Sequence, residues 1–296
     1  MSMKRLIATA AALALVAGAS SALAQVAVAP AATPFKLGAF EVIPVADALF
    51  VLPNDGKTFG TDPAAASKLL AAAGQPNDKI TLGVDGLLVK TPGHVILIDT
   101  GLGAGAKSAM IGSLAKAGVK PEDVTDILIT HYHGDHTGGM KGADGKSAFP
   151  KATVRMSANE WAAMQKDAGS KATVDAISAQ VKAFTPGVSI LPGITPIALY
   201  GHTPGHVAYE ISSQGQKLID IGDTVHSYVL GLNEPGWIDN FDGDKPVGIA
   251  KRTAEVKQLA ATKELVFAPH FPYPGVGHIV ADGAGYKWAP GVPGAK

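Results

Sequence analysis

The segment Ile129-Thr130-His131-Tyr132-His133-Gly134-Asp135-His136-Thr137-Gly138-Gly139 places three histidines and one aspartate within six residues. Hydrophobic packing has no use for that density of imidazole and carboxylate. Divalent metal ions do, since neutral imidazole suits zinc, iron, nickel or cobalt and a carboxylate balances charge. The chemistry implied is metal-assisted hydrolysis. The elements around the segment must position it. Asp126-Ile127-Leu128-Ile129-Thr130 is short, apolar and β-branched, and reads as a buried strand. His131 and His133 are one residue apart, so in extended chain both leave the same face and can share one ion. Gly134 lets the chain turn, which points Asp135 and His136 toward a second ion. Gly138 and Gly139 let the backbone pass close to the cluster without a Cβ clash.

Two ions need more ligands, and three positions offer them. His202 lies in Tyr200-Gly201-His202-Thr203-Pro204-Gly205-His206, after the apolar run Ile197-Ala198-Leu199-Tyr200. Asp223 follows Ile219-Asp220-Ile221-Gly222, and His270 follows Leu265-Val266-Phe267-Ala268-Pro269. Each stands at a strand end, where loops gather into sites. One histidine after a strand is weak evidence; four strand ends with metal-ligating residues reinforce one another.

These residues resemble the metallo-β-lactamase superfamily of hydrolases. Its HxHxDH signature is matched by His131, His133, Asp135 and His136, and its later ligands by His202, Asp223 and His270, in the same chain order. The turn Ile98-Asp99-Thr100-Gly101 also fits. The stretches Gly201–His206, Gly222–His226, Phe241–Asp244 and Pro269–Ile279 are most similar to the methyl parathion hydrolase and lactonase-like branch. The resemblance implies a single α/β domain, a four-layer αββα sandwich. It implies two divalent ions, zinc first, with manganese, iron or cobalt as alternatives. One would take His131, His133 and His202, and the other Asp135, His136 and His270. Asp223 would bridge them beside a hydroxide that attacks the substrate, with Asp135 orienting that hydroxide. The expected substrates are small molecules: lactones, aryl esters or organophosphate triesters. The alternative on the same site is β-lactam or thioester hydrolysis. The best-known zinc β-lactamases carry cysteine where Asp223 stands, and this chain has no cysteine, which favours the first reading. A non-enzymatic metal-binding protein is a third reading; it predicts binding without turnover.

His226 stands near the place where some lactonase relatives carry a tyrosine that contacts substrate. It is a candidate catalytic donor to an oxyanion or leaving group, with a packed rim histidine as the competing reading. His206 and His278 are expected to bond loop carbonyls, and His94 to be exposed. Phe50, Trp237, Phe271 and Tyr273 are candidate pocket walls. Asp242 and Asp244 are expected to cap the following helix.

Composition bounds the rest. The chain has 296 residues, with Lys+Arg and Asp+Glu equal at 25 each, which argues against a nucleic-acid partner. Its 47% hydrophobic and 17% charged content suits one globular domain. Lys4 and Arg5, an apolar run from Leu6 to Ala19 and Ser20-Ser21-Ala22-Leu23-Ala24 read as a Sec-type signal peptide over 1–24. The run is too short to span a bilayer comfortably, so no membrane insertion is expected after cleavage, and the location is periplasmic or secreted. Residues 25–36 read as a tether and 37–296 as the hydrolase domain; a homodimer stays open.

Periodicity predicts strands at 40–45, 81–91, 95–98, 152–156, 189–191, 197–200, 207–211, 217–221 and 265–268. It predicts helices at 108–117, 172–184 and 246–262, and another opened by a capping box at Ser157–Glu160.

Overall fold

The computed structural model describes residues 24–60 and 62–294. The expected signal peptide lies outside them, apart from Ala24. Two sheets stack face to face with helices on both outer faces, so the four-layer αββα sandwich expected from the resemblance is the fold observed.

The first sheet holds β1 (Ala24–Ala27), β2 (Phe35–Leu37), β3 (Phe40–Pro53), β4 (Lys79–Thr91), β5 (His94–Ile98), β6 (Asp126–Leu128), β7 (Thr153–Ser157) and β8 (Val181–Phe184). The second holds β9 (Ile194–Ala198), β10 (Val207–Ser213), β11 (Gln216–Asp220), β12 (Leu265–Phe267), β13 (Val276–Asp282) and β14 (Gly285–Pro290). Strand alternation sorts the side chains. Leu87, Val89, Ile96, Ile98 and Leu128 face Val207, Tyr209, Ile211 and Phe267 between the sheets. Leu88, Leu97, Ile127 and Ile129 point the other way, toward Met110 and Leu114 of α2 (Met110–Lys116), Met164 of α4 (Ala158–Met164) and Ile177 of α5 (Lys171–Ile177). On the far side, Ile219 and Val266 pack on Val256 and Leu259 of α7 (Lys245–Thr262). Strands β5 to β8 run parallel, as do β11 and β12. Their carboxyl ends therefore open at one edge of the sandwich, where loops can assemble a site. No helix among the described residues is long and apolar enough to cross a membrane.

Three expectations are corrected. Residues 25–36 are not a tether. β1 pairs with β3 from Ala24↔Val51 to Ala27↔Ala48, Ala32 bridges Val45, and Phe35 is buried. The long strand β3 would otherwise leave a row of backbone groups without partners, and small apolar residues beside it supply them. The expected helix at 172–184 stops early. The Gln180 amide donates to the carbonyls of Phe149 and Ala152 at 2.8 Å each, and Val181–Phe184 then joins β7 as a parallel edge strand. The expected strand at 189–191 is a tight turn, closed by Ile190 N–H on the Ile194 carbonyl at 3.0 Å.

His94 is also not merely exposed. Its Nδ1 lies 2.8 Å from Asp126 Oδ2, in a network with Arg155 Nε, 2.8 Å from Asp126 Oδ1. This cluster sits at the opposite strand ends from the His131 loop.

Candidate metal centre

Seven side chains converge at the open edge. Past β6 the chain stays extended, because Ile129 N–H donates to the Arg155 carbonyl and the Thr130 carbonyl accepts from Val207 N–H. His131 and His133 therefore point together, with His131 Nε2 3.1 Å from His133 Nδ1. His202, in the turn between β9 and β10, brings its Nε2 to 3.2 Å from His131 Nε2 and 2.9 Å from His133 Nδ1. Three nitrogens bound to one zinc ion at 2.0–2.1 Å would stand about 3.3 Å apart in a tetrahedron. The three observed separations are close to that edge length.

The next residues reverse direction. The single turn α3 (Gly134–Thr137) carries Asp135 and His136 away from the first trio. His270, past β12, meets them: Asp135 Oδ2 is 3.6 Å from His136 Nε2 and 3.7 Å from His270 Nε2. Asp223, past β11, lies between the groups. Its Oδ2 is 3.4 Å from both His131 Nε2 and His202 Nε2, and its Oδ1 is 3.1 Å from both His136 Nε2 and His270 Nε2. Each carboxylate oxygen thus serves one trio. His136 Nε2 and Asp223 Oδ1 are buried without a hydrogen-bond partner among the described residues. The donor set and these orphaned atoms fit two cations.

Electrostatics agree. Burial, followed by the neighbouring imidazoles His136, His202 and His133, holds His131 well below its ordinary value, in the neutral form that ligates metal. Burial opposes charge on Asp223 and His136 as well, but is outweighed there. The surrounding histidines hold Asp223 well below the usual carboxylate range, and Asp223, Asp99 and Asp135 hold His136 well above 6.5. The second trio therefore favours positive charge at its centre.

A layer of further groups fixes these side chains. Asp99 has a left-handed backbone (φ 58°) at the end of β5. It accepts from Thr130 N–H at 2.9 Å, from Thr130 Oγ1 at 2.7 Å and from His136 Nδ1 at 2.7 Å. The loop after Asp99 lies so close to the turn that follows α3 that a Cβ on Gly139 would stand 2.0 Å from the Thr100 carbonyl oxygen. His206 takes the structural place expected of it. Its Nδ1 donates to the Leu199 carbonyl at 3.0 Å, and its Nε2 accepts from Asp223 N–H at 3.0 Å. Burial pushes this imidazole down to about 3, so it stays neutral and keeps that lone pair. His270 Nδ1 donates to the Gly83 carbonyl at 2.6 Å. His278 bonds the Glu264 carbonyl at 3.0 Å, outside the site.

Asp244 caps α7 as expected, accepting from Val247 N–H at 3.2 Å. Asp242 does not. It is buried, with Oδ2 2.9 Å from Arg252 Nη1 and Oδ1 3.4 Å from His202 Nδ1. Arg252 reaches it because its other nitrogens are pinned on the carbonyls of Pro235 and Trp237. His226 is buried between two carboxylates, with Nε2 3.1 Å from Asp223 Oδ2 and Nδ1 2.8 Å from Asp239 Oδ2. Burial lowers its affinity for a proton, but Asp239 and Asp223 outweigh that and raise it to about 10. Its ring stacks on His270 at 5.2 Å.

Above the seven residues lies a cavity of about 460 Å³ whose apolar walls are Phe50, Leu82, Leu102 and Phe241. Of the four wall residues expected, only Phe50 lines it. Phe271 is fully buried beneath the site, and Trp237 packs under Gly60. Tyr273 points away, bonding Thr33 Oγ1 at 2.8 Å and the Pro44 carbonyl at 3.2 Å. Leu82 and Leu102 carried no motif in the sequence, and Phe241, the first residue of the Phe241–Asp244 stretch, was not read as a wall. Leu82 and Leu102 stand within a few residues of Asp85 and Asp99, and that proximity was the only signal available for them.

A sequence model of the metallo-beta-lactamase superfamily matches residues 81–278. An N-acyl homoserine lactonase from Bacillus sp is 25% identical over 219 residues, which is 66% of this chain and 84% of the relative. Among solved structures, AidC, a dizinc quorum-quenching lactonase in complex with a product, superposes with a TM-score of 0.84 at 27% identity. That match covers 89% of this chain and 98% of AidC. A hydrolase of the beta lactamase superfamily, AbOPH, gives 0.80 at 26% identity, over 89% of this chain and 98% of its own.

Proposed function

This chain belongs to the metallo-beta-lactamase superfamily of hydrolases, and on that footing we propose that it opens neutral lactones and related aryl esters or phosphotriesters with two divalent cations, zinc first. The observation that carries the reading is Asp223, whose two oxygens each face a separate trio of ligands. Cations held there would polarise a carbonyl or phosphoryl oxygen and acidify water. The protein's own groups do the rest. His131, His133 and His202 would hold one ion, and Asp135, His136 and His270 the other. Asp223 ties the two trios together. Phe50, Leu82, Leu102 and Phe241 would bind the apolar part of the substrate and exclude bulk water.

Among the described residues, no lysine or arginine lines the cavity. The carboxylate that every β-lactam drug of the penicillin type carries would find there only the His226 imidazolium, already shared between Asp223 and Asp239, and burying a charge without a free partner is unfavourable. A neutral ester or lactone meets no such obstacle, which is why the second reading, a β-lactamase, is disfavoured. The test is a rate panel on an acyl lactone, an aryl ester, a phosphotriester and a cephalosporin, before and after a chelator. We expect the lactone to turn over fastest and the chelator to abolish every rate. A cephalosporin as best substrate, or rates that survive chelation, would overturn the reading.

His226 is assigned an orienting role. It stands at the cavity wall with Nε2 on Asp223 and Nδ1 on Asp239, so both of its N–H groups are spent on carboxylates and it fixes Asp223 in place. His226→Ala should lower kcat roughly 10–100-fold, the range for outer partners of metal ligands, while both metal equivalents stay bound. Loss of an equivalent would make it a ligand instead.

Export is part of the same proposal. N-terminal sequencing of protein recovered from outside the cytoplasm should begin at Gln25; a start at residue 1 or 2 would rule out cleavage.

A further inference from the structure

Glu160 occupies the third position of α4, where Ser157 caps the helix by accepting Glu160 N–H at 3.1 Å. The sequence signature for this arrangement has the glutamate side chain reach back to the cap residue. Here it does not. Oε1 accepts from Tyr132 N–H at 2.7 Å, and Oε2 accepts from Thr203 Oγ1 and from Gly205 N–H, both at 2.8 Å. Tyr132 is the residue between His131 and His133, and Thr203 follows His202. One fully buried carboxylate is therefore bonded to both chain segments that supply the first trio.

Among the described residues these three are the side-chain hydrogen bonds of Glu160. Ser157 Oγ donates to the Gly205 carbonyl at 2.7 Å, closing the helix end onto the same turn. A Cβ on Gly205 would stand 2.2 Å from Glu160 N and 2.4 Å from Ser157 Oγ, so the turn is seated directly on the helix. Among the described residues, the second trio has no link of this kind. Asp135 and His136 are held by α3 and Asp99, and His270 by Gly83.

We infer that Glu160 is a positioning residue that sets the affinity of the His131–His133–His202 site alone, by clamping the His202 turn against the His131–His133 segment. The inference rests on the reading that these three histidines hold a cation. A glutamine at 160 keeps the volume but turns one acceptor into a donor. It then faces either Tyr132 N–H or Gly205 N–H with an NH₂ group, and one arm of the clamp opens.

The test is stepwise chelator competition for zinc on the full chain at pH 8, above the value of about 7 to which burial lifts Glu160. His202→Ala and His270→Ala mark which equivalent belongs to which site. Glu160→Gln should weaken the equivalent lost in His202→Ala by about 10-fold or more, and leave the equivalent lost in His270→Ala within about twofold. Thr203→Val, which removes one bond of the three, should weaken the same equivalent by a smaller factor; it decides the matter alone if Glu160→Gln does not fold. Equal weakening of both equivalents would mean a general packing role, and no weakening would mean no clamp; either overturns the inference. Failure of the unmodified chain to bind two equivalents would instead overturn the metal reading beneath it.

Discussion

Asp223→Ala should reduce bound metal to below one equivalent and lower turnover by more than about 100-fold, the upper end of what even outer partners of metal ligands cost. The expectation follows from position. Five imidazole nitrogens lie within 3.1–3.4 Å of its two oxygens, three on Oδ2 (His131, His202 and His226) and two on Oδ1 (His136 and His270). Removing the carboxylate takes a ligand from both trios and leaves buried imidazoles without their negative neighbour. Two cations would then face each other with less charge between them. The measurement is elemental analysis of purified protein beside rates on the preferred ester. Asp223→Asn refines it, since an amide oxygen still ligates but carries no charge; it should retain more metal than alanine. Full activity at full occupancy in the alanine variant would remove the bridge from the account.

Asp99→Ala should cost both stability and the second ion, although Asp99 touches neither cation position. Its carboxylate satisfies Thr130 N–H, Thr130 Oγ1 and the Nδ1–H of His136, all buried. Alanine leaves those donors unpaired, at roughly 1–3 kcal/mol for each buried group. It also places a Cβ residue with no polar side chain at φ 58°, a conformation in which asparagine and aspartate are better tolerated. Free to rotate, His136 should bind its ion 10–100-fold more weakly. Asp99→Asn separates the two effects. It tolerates the backbone and keeps one acceptor, so it should melt closer to the unmodified protein, yet its NH₂ group cannot accept from His136. Thermal unfolding of the metal-free protein reports the first effect and chelator competition the second. An unchanged second-site affinity in both variants would show that His136 is held by packing alone.

The seven residues that converge were legible because local spacing and strand ends mark them, and their division into two trios was what the resemblance implied. A histidine pair one residue apart on extended chain, followed by glycine, limits the directions those side chains can take. The apolar runs before His202, Asp223 and His270 put each at a strand's end. The groups that hold the ligands were not legible for the same reason in reverse. Glu160 is indistinguishable in sequence from a capping-box glutamate; its bonds to residues 132, 203 and 205 exist only once the layers have stacked. Asp242 looked like a cap, and its turn toward His202 depends on Arg252, whose place was readable only as a polar position on a helix. The cavity walls come from β3, β4 and two loops distant in sequence, so no periodicity marks them. Residues 25–36 and 181–184 misled for a simpler reason. Both are short stretches whose strand state comes from a neighbour with unpaired backbone, and propensity in a short window does not report that.

The central claim is that two cations sit on either side of Asp223. Anomalous X-ray diffraction at the metal absorption edge, on crystals grown with zinc, addresses it without reference to any substrate. The account predicts two peaks, one among His131, His133 and His202 and the other among Asp135, His136 and His270, each within bonding distance of a different Asp223 oxygen. A single peak in a fully loaded crystal, or two peaks bound by other residues, would contradict it.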